Sequence, residues 1–210
     1  MDSEFSATKS KSLPGRAKWA TLLAFAVPLL LGSLLMSAAE WHPNEGEDLI
    51  GTEAPEFQGL QWVNSAPITL HGLRGKAVLL RFWLSGCPRC ENSADALNYL
   101  YEKYGNQGLI VIGIHHPKSE STQDIKVVHD TANKLGFTFP VAQDLEWKTI
   151  NSFWLGKVKR TYTSATFLID KSGHICWLHD GGTLRMSGPD SAPFVSLKEK
   201  IASILSSAKH

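Results

Sequence analysis

Residues 77–84 read Ala-Val-Leu-Leu-Arg-Phe-Trp-Leu, an almost continuous apolar run. Such a run, too short for a membrane span, is what a central strand covered on both faces looks like. A second run, Leu109 to Ile114, has the same character. Between them, Ala94, Leu97, Leu100, Tyr101 and Tyr104 recur at helical spacing, so Pro88 to Tyr104 is expected as a helix ended by Gly105 and Gly108. Strand, helix, strand in that order predicts parallel pairing and a layered α/β sheet. Further strands are expected at Phe57 to Trp62, Ile68 to Leu70 and Phe139 to Ala142. Helices are expected from Ser121 to Leu135, after Asp144 to about Trp154, and from Ala192 to Ser206. Ala165 to Asp170 and His174 to His179 flank Lys171-Ser172-Gly173 as a hairpin.

The first run leads directly into Cys87-Pro88-Arg89-Cys90. A cysteine at a helix mouth meets unpaired backbone N–H groups, which favour its thiolate. Pro88 suits the first turn because the N–H it lacks would be unpaired anyway. Arg89 adds a cation, and Cys90, one turn further, can close a disulfide with Cys87. That is the arrangement for thiol–disulfide exchange, with Cys87 attacking and Cys90 resolving. A structural zinc site would need a second ligand pair at similar spacing. The chain offers only Cys176, its third cysteine, and scattered histidines, so no metal is expected. A purely structural disulfide would close too short a loop to constrain much.

The N-terminus reads as an address. Trp19 to Ala39 carries no charge. At about 1.5 Å per residue it is long enough to cross a hydrocarbon core of roughly 30 Å. Lys9, Lys11, Arg16 and Lys18 precede it; Glu40, Glu45, Glu47 and Asp48 follow. Cationic flanks stay in the cytoplasm, so residues 1–18 are expected there, residues 19–39 as an N-terminal transmembrane helix, and the rest outside the cytoplasmic membrane or in the periplasm. Ser37-Ala38-Ala39 also fits the cleavage site of a signal peptide, and either reading exports the chain. Residues 40–50 are expected as a linker and residues 51–210 as one domain. A formal net charge of +1 without a later basic run argues against nucleic-acid binding.

Three segments carry a resemblance: Gly51 with Ala54-Pro55-Glu56-Phe57, then Leu73 through Trp83 into the cysteine pair, then Val111 to His115 with Thr166 to Gly173. Together they resemble the membrane-anchored thioredoxin-like proteins of the TlpA and ResA type, within the redoxin and AhpC/TSA-like superfamily. The resemblance implies a thioredoxin-like fold, a central mixed sheet flanked by helices, and dithiol–disulfide exchange without a cofactor. It further implies exported protein thiols or disulfides as substrates, and a membrane electron-transfer partner. It places Thr163 and Ser164 at the substrate groove, and Trp83, just before the motif, reads as core or as a wall of that groove.

Three departures stand out. Ser164 occupies the position where thioredoxins carry a cis-proline. Arg81 stands six residues before Cys87, where many relatives have a buried Asp or Asn. The active-site dipeptide is Pro-Arg, whose cation favours the reduced form. The rival reading is a peroxiredoxin-like peroxidase using Cys87, although Leu84-Ser85-Gly86 lacks the Pro and Thr cradle of that branch. Cys176 reads as a small core residue, Trp147 and Trp154 as packing, and His115, His116 and His179 as strand-end or loop groups.

Overall fold

The computed structural model describes residues 45–156 and 158–207. Among these, no helix is long and apolar enough to cross a membrane. The expected span at 19–39 and the cytoplasmic segment 1–18 lie outside the described residues.

Six strands form one sheet: β1 (Gln61–Trp62), β2 (Ala77–Trp83), β3 (Leu109–His115), β4 (Val141–Gln143), β5 (Thr166–Ile169) and β6 (Ile175–His179). Their order across the sheet is β1-β4-β3-β2-β5-β6. β2 pairs parallel with β3, and β3 parallel with β4; β1, β5 and β6 join antiparallel. Every residue of β2 is buried, as its two-faced apolar run requires.

The two faces hold separate cores. Ala77, Leu79 and Trp83 of β2 point to the side covered by α2 (Ala94–Tyr104), α3 (Ile125–Lys134) and α5 (Ala192–Ser206). Val78, Leu80 and Phe82 point to the side closed by α4 (Lys148–Ile150) and the π-turn Asn151–Leu155. There Phe167 meets the rings of Phe82, Phe153 and Trp154 edge-on, at centroid distances of 6.0, 5.6 and 5.8 Å.

Three expectations need correction. Ile68 to Leu70 is not a strand, because the Glu56 carboxylate accepts the N–H groups of Leu70 (2.7 Å) and His71 (3.0 Å) that a neighbouring strand would have taken. Only Gln61–Trp62 of the stretch from Phe57 pairs in the sheet. Gln58 exchanges both its backbone bonds with the Thr149 hydroxyl, at 2.8 and 2.9 Å. The helix expected from Pro88 to Tyr104 breaks into α1 (Pro88–Glu91) and α2, with Asn92 and Ser93 between them.

The compact unit also begins before Gly51. Residues 45–50, expected as linker, are docked: the Glu45 carboxylate accepts the Thr161 N–H at 2.8 Å, and Arg160 pairs with Asp48 at 3.5 Å.

Phe167→Ala should cost about 3–5 kcal/mol of unfolding free energy, because the ring is fully buried among three aromatic neighbours that cannot collapse around a cavity. Urea unfolding checks this, and a loss below about 1 kcal/mol would contradict the described core.

Candidate active site

β2 ends at Trp83, and Leu84-Ser85-Gly86 turns the chain into α1. Cys87 caps that helix: its carbonyl accepts the N–H of Cys90 (2.9 Å) and of Glu91 (3.0 Å), and its Sγ accepts the Cys90 N–H at 3.4 Å. Pro88 holds the first position. Both cysteines are thiols, with the Sγ atoms 2.8 Å apart and Cys90 donating. They differ in access. Cys87 is half-buried between exposed Gly86, Pro88 and Arg89, whereas Cys90 is 2% exposed. Burial pushes the Cys90 thiol up to about 11, against the opposing influence of Arg81.

Arg89 does not turn toward the sulfurs. Its guanidinium lies over the Tyr162 ring, 5.0 Å from the centroid. Tyr162 leads into Thr163 and Ser164, so this contact joins the cysteine loop to the segment before β5. Ser164 is 5% exposed, and the Thr163–Ser164 peptide is trans. Of the two readings of Trp83, core or groove wall, the groove placement is corrected: it lies in the core. It is 1% exposed, with His115 and Phe137 against its ring at 5.0 and 5.5 Å, and has no surface to offer a substrate.

The cation beside the cysteine pair is Arg81, which is fully buried. On β2 it lies between Leu79 and Trp83, on the face covered by α1 and α2. Its Nη1 donates to Thr166 Oγ1 (2.8 Å), and its Nη2 to the Gly182 carbonyl (2.8 Å) and Ser93 Oγ (3.5 Å). Ser93 Oγ also donates to the Arg89 carbonyl (2.7 Å) and accepts the Leu184 N–H (2.9 Å). Ser93, Thr166 and Gly182 were not singled out from the sequence. The one legible hint was Ser93, three residues after Cys90 on a helix and hence on its side.

Three histidines surround this end of the sheet. His115 Nε2 lies 3.2 Å from Ser85 Oγ. His116 packs on Phe82 and Trp147, with neither ring nitrogen hydrogen-bonded. His179 stacks on Trp177. Burial lowers His115 to about 4, His116 to about 3 and His179 to about 4. Cys176, expected in the core, is half-buried on β6, with its Sγ 3.4 Å from the Leu168 carbonyl. Among the described residues no cluster of three His, Cys, Asp or Glu is arranged to hold a metal.

A mixed sheet with a dithiol at the C-terminal end of its central parallel strand defines the thioredoxin-like class. The thiol:disulfide interchange protein, thioredoxin family, from Chlorobium tepidum TLS shares this fold, with a TM-score of 0.58 over 74% of this chain and 97% of its own, at 20% identity. The chain belongs to the AhpC/TSA family, whose model matches residues 50–178. It is similar to the thiol-disulfide oxidoreductase ResA of Bacillus thuringiensis, 33% identical over 126 residues that cover 60% of this chain and 66% of ResA. It is also similar to protein DipZ of Mycobacterium bovis, 32% identical over 126 residues that cover 58% of this chain and 17% of DipZ. The chain thus spans just under two thirds of ResA and about a sixth of DipZ.

The histidines set a pH dependence of stability. Their folded pKa values lie below the unfolded value of about 6.5, so the unfolded state binds more protons between the two. Stability should therefore be full above pH 6.5 and fall as the pH drops toward about 4, by up to about 1.4 kcal/mol per pH unit for each imidazole. His116→Phe, which keeps a ring against Phe82 and Trp147, should flatten the curve. Urea midpoints from pH 4 to 8 test this, and an unchanged slope would contradict the neutral, buried His116.

Proposed function

We propose that the protein is a thiol–disulfide oxidoreductase that exchanges disulfides with exported protein substrates through Cys87 and Cys90, acting as a reductase. The observation that carries this is the asymmetric dithiol: two thiols 2.8 Å apart, one reachable and one buried. ResA's name as a thiol-disulfide oxidoreductase supports it.

The Cys87 thiolate attacks one sulfur of a substrate disulfide, the substrate S–S bond breaks, and one substrate thiolate leaves and takes a proton. The Cys90 thiolate then attacks Cys87 Sγ. The mixed disulfide breaks, the second substrate sulfur leaves, and the Cys87–Cys90 disulfide forms. Two electrons pass from the dithiol to the substrate. Pro88 and Arg89 flank the reacting sulfur, and Thr163 and Ser164 lie on the segment that Arg89 reaches through Tyr162. A protein substrate fits because Cys87 lies on an open surface loop. Residues 19–39 would hold the domain at the membrane, facing outward, within reach of a membrane partner that returns the electrons. No cofactor is needed for any step.

Dithiothreitol-driven reduction of insulin by the full chain is the direct test. Cys87→Ser is expected to abolish the added rate. Cys90→Ser should accumulate a mixed disulfide on Cys87. Peroxide consumption that survives in Cys90→Ser at the wild-type rate would instead identify a one-cysteine peroxidase. The direction of electron flow is read from the potential of the pair. A value near that of thioredoxin, about −270 mV, fits a reductase, and one near about −120 mV would make the protein a disulfide donor.

A further inference from the structure

Arg81 is a charge without a partner charge. Among the described residues no carboxylate pairs with it, and its three hydrogen-bond acceptors are a hydroxyl of Thr166, a hydroxyl of Ser93 and the Gly182 carbonyl. Its Nε, also buried, has no acceptor at all. An isolated buried guanidinium is costly, and proteins normally set an anion beside one. The groups facing Arg81 come from every element around it. From α1 these are Cys87 and Cys90; after β3, His116; and on β6, His179. Burial keeps both imidazoles neutral near pH 7. Asp180, on the loop after β6, accepts the Glu45 N–H instead. Among the described residues, the groups set against the guanidinium that can become anions are the two thiols, and the buried one of these is Cys90.

We propose that Arg81 is the buried counter-ion of the Cys90 thiolate, a positioning residue that lets the resolving sulfur act as an anion in the interior and makes the Cys87–Cys90 disulfide more oxidising than the same pair over a neutral side chain. The proposal rests on the thiol–disulfide reading of this site. It assigns a role that a carboxylate in the same place could not fill. A guanidinium cannot accept a proton, so Arg81 is no general base. It acts on the product of deprotonation: the Cys90 proton goes to solvent, and the charge left on sulfur is stabilised by the buried guanidinium. In the disulfide form neither sulfur can carry a charge, whereas a thiolate on either cysteine of the reduced pair meets the guanidinium, which disfavours the oxidised state. In the mixed disulfide the Cys90 thiolate attacks Cys87 Sγ, the bond from Cys87 to the substrate sulfur breaks, and the departing substrate thiolate takes a proton from water.

The test follows an aromatic disulfide that releases a coloured thiolate, using the full reduced chain in a Cys176→Ser background. Wild type should release one equivalent as Cys87 attacks and a second as Cys90 resolves. Arg81→Gln and Arg81→Met both remove the charge, the second with a long apolar chain suited to the buried site. Either folded variant should slow the second release at least tenfold while changing the first release less. The equilibrium constant with glutathione should shift at least tenfold toward the disulfide, about 30 mV more reducing for this two-electron couple. Arg81→Lys should restore most of both effects, which a purely structural role would not produce. Wild-type rates and potential in either folded neutral variant would overturn the proposal. A wild-type chain that releases no second equivalent, or that reacts equally well as Cys87→Ser, would overturn the thiol–disulfide reading itself.

Discussion

A guanidinium in the middle of the sheet is the constraint around which this site is organised. The antiparallel register of β2 and β5 sets Arg81 opposite Thr166, which places the Thr166 hydroxyl on the same face and within 2.8 Å of Nη1. The loop after β6 must then bring the Gly182 carbonyl in, and Gly182 does so with a φ of +83°, where a side chain would be strained. The junction of α1 and α2 must bring Ser93. Three segments thus converge on one side chain. Arginine suits the position better than lysine because its planar, weakly hydrated head spreads its charge over several donors.

That convergence explains the break in the cysteine helix. A continuous helix from Pro88 to Tyr104 would bond its backbone regularly throughout. Instead Ser93 Oγ reaches back to the Arg89 carbonyl, faces Arg81 on one side and accepts from Leu184 on another. A hydroxyl that competes for a backbone carbonyl commonly bends a helix. Here it also fastens α1 to the loop after β6, the same loop whose Gly182 carbonyl accepts from Arg81.

The sheet was largely legible in the sequence because burial on both faces leaves a mark that no tertiary contact can hide. The runs at β2 and β3, the hairpin around Lys171-Ser172-Gly173 and the last helix are all where the residue pattern puts them. The segments that misled are those whose backbone bonds go to side chains. Glu56 takes the N–H groups of Leu70 and His71, and Thr149 takes both backbone bonds of Gln58, and neither partner is visible in local periodicity. The cysteine pair was legible as a motif. What surrounds it was not, because Thr166 and Gly182 reach Arg81 from separations of 85 and 101 residues. Trp83 was ambiguous for a related reason: adjacency to the motif allowed a wall as well as a core residue, and strand alternation turns its ring into the core beside His115.

The two cations of the site divide the work in a way that the local sequence conceals. Read along the chain, Arg89 lies between the cysteines and is the obvious stabiliser of a thiolate. In space its guanidinium is engaged with the Tyr162 ring on an exposed surface, where water screens its charge. Arg81, six residues before the motif, is wholly shielded from water. A charge in that low-dielectric setting acts on a neighbouring sulfur far more strongly than one in solvent. Arg89 is therefore placed to shape what docks beside Cys87, through the segment leading to Thr163 and Ser164. On the proposed reading, the electrostatics of the dithiol belong to Arg81. On that reading an exposed cation borders the reachable sulfur and a buried one serves the shielded sulfur, so access and poise can change independently in this fold.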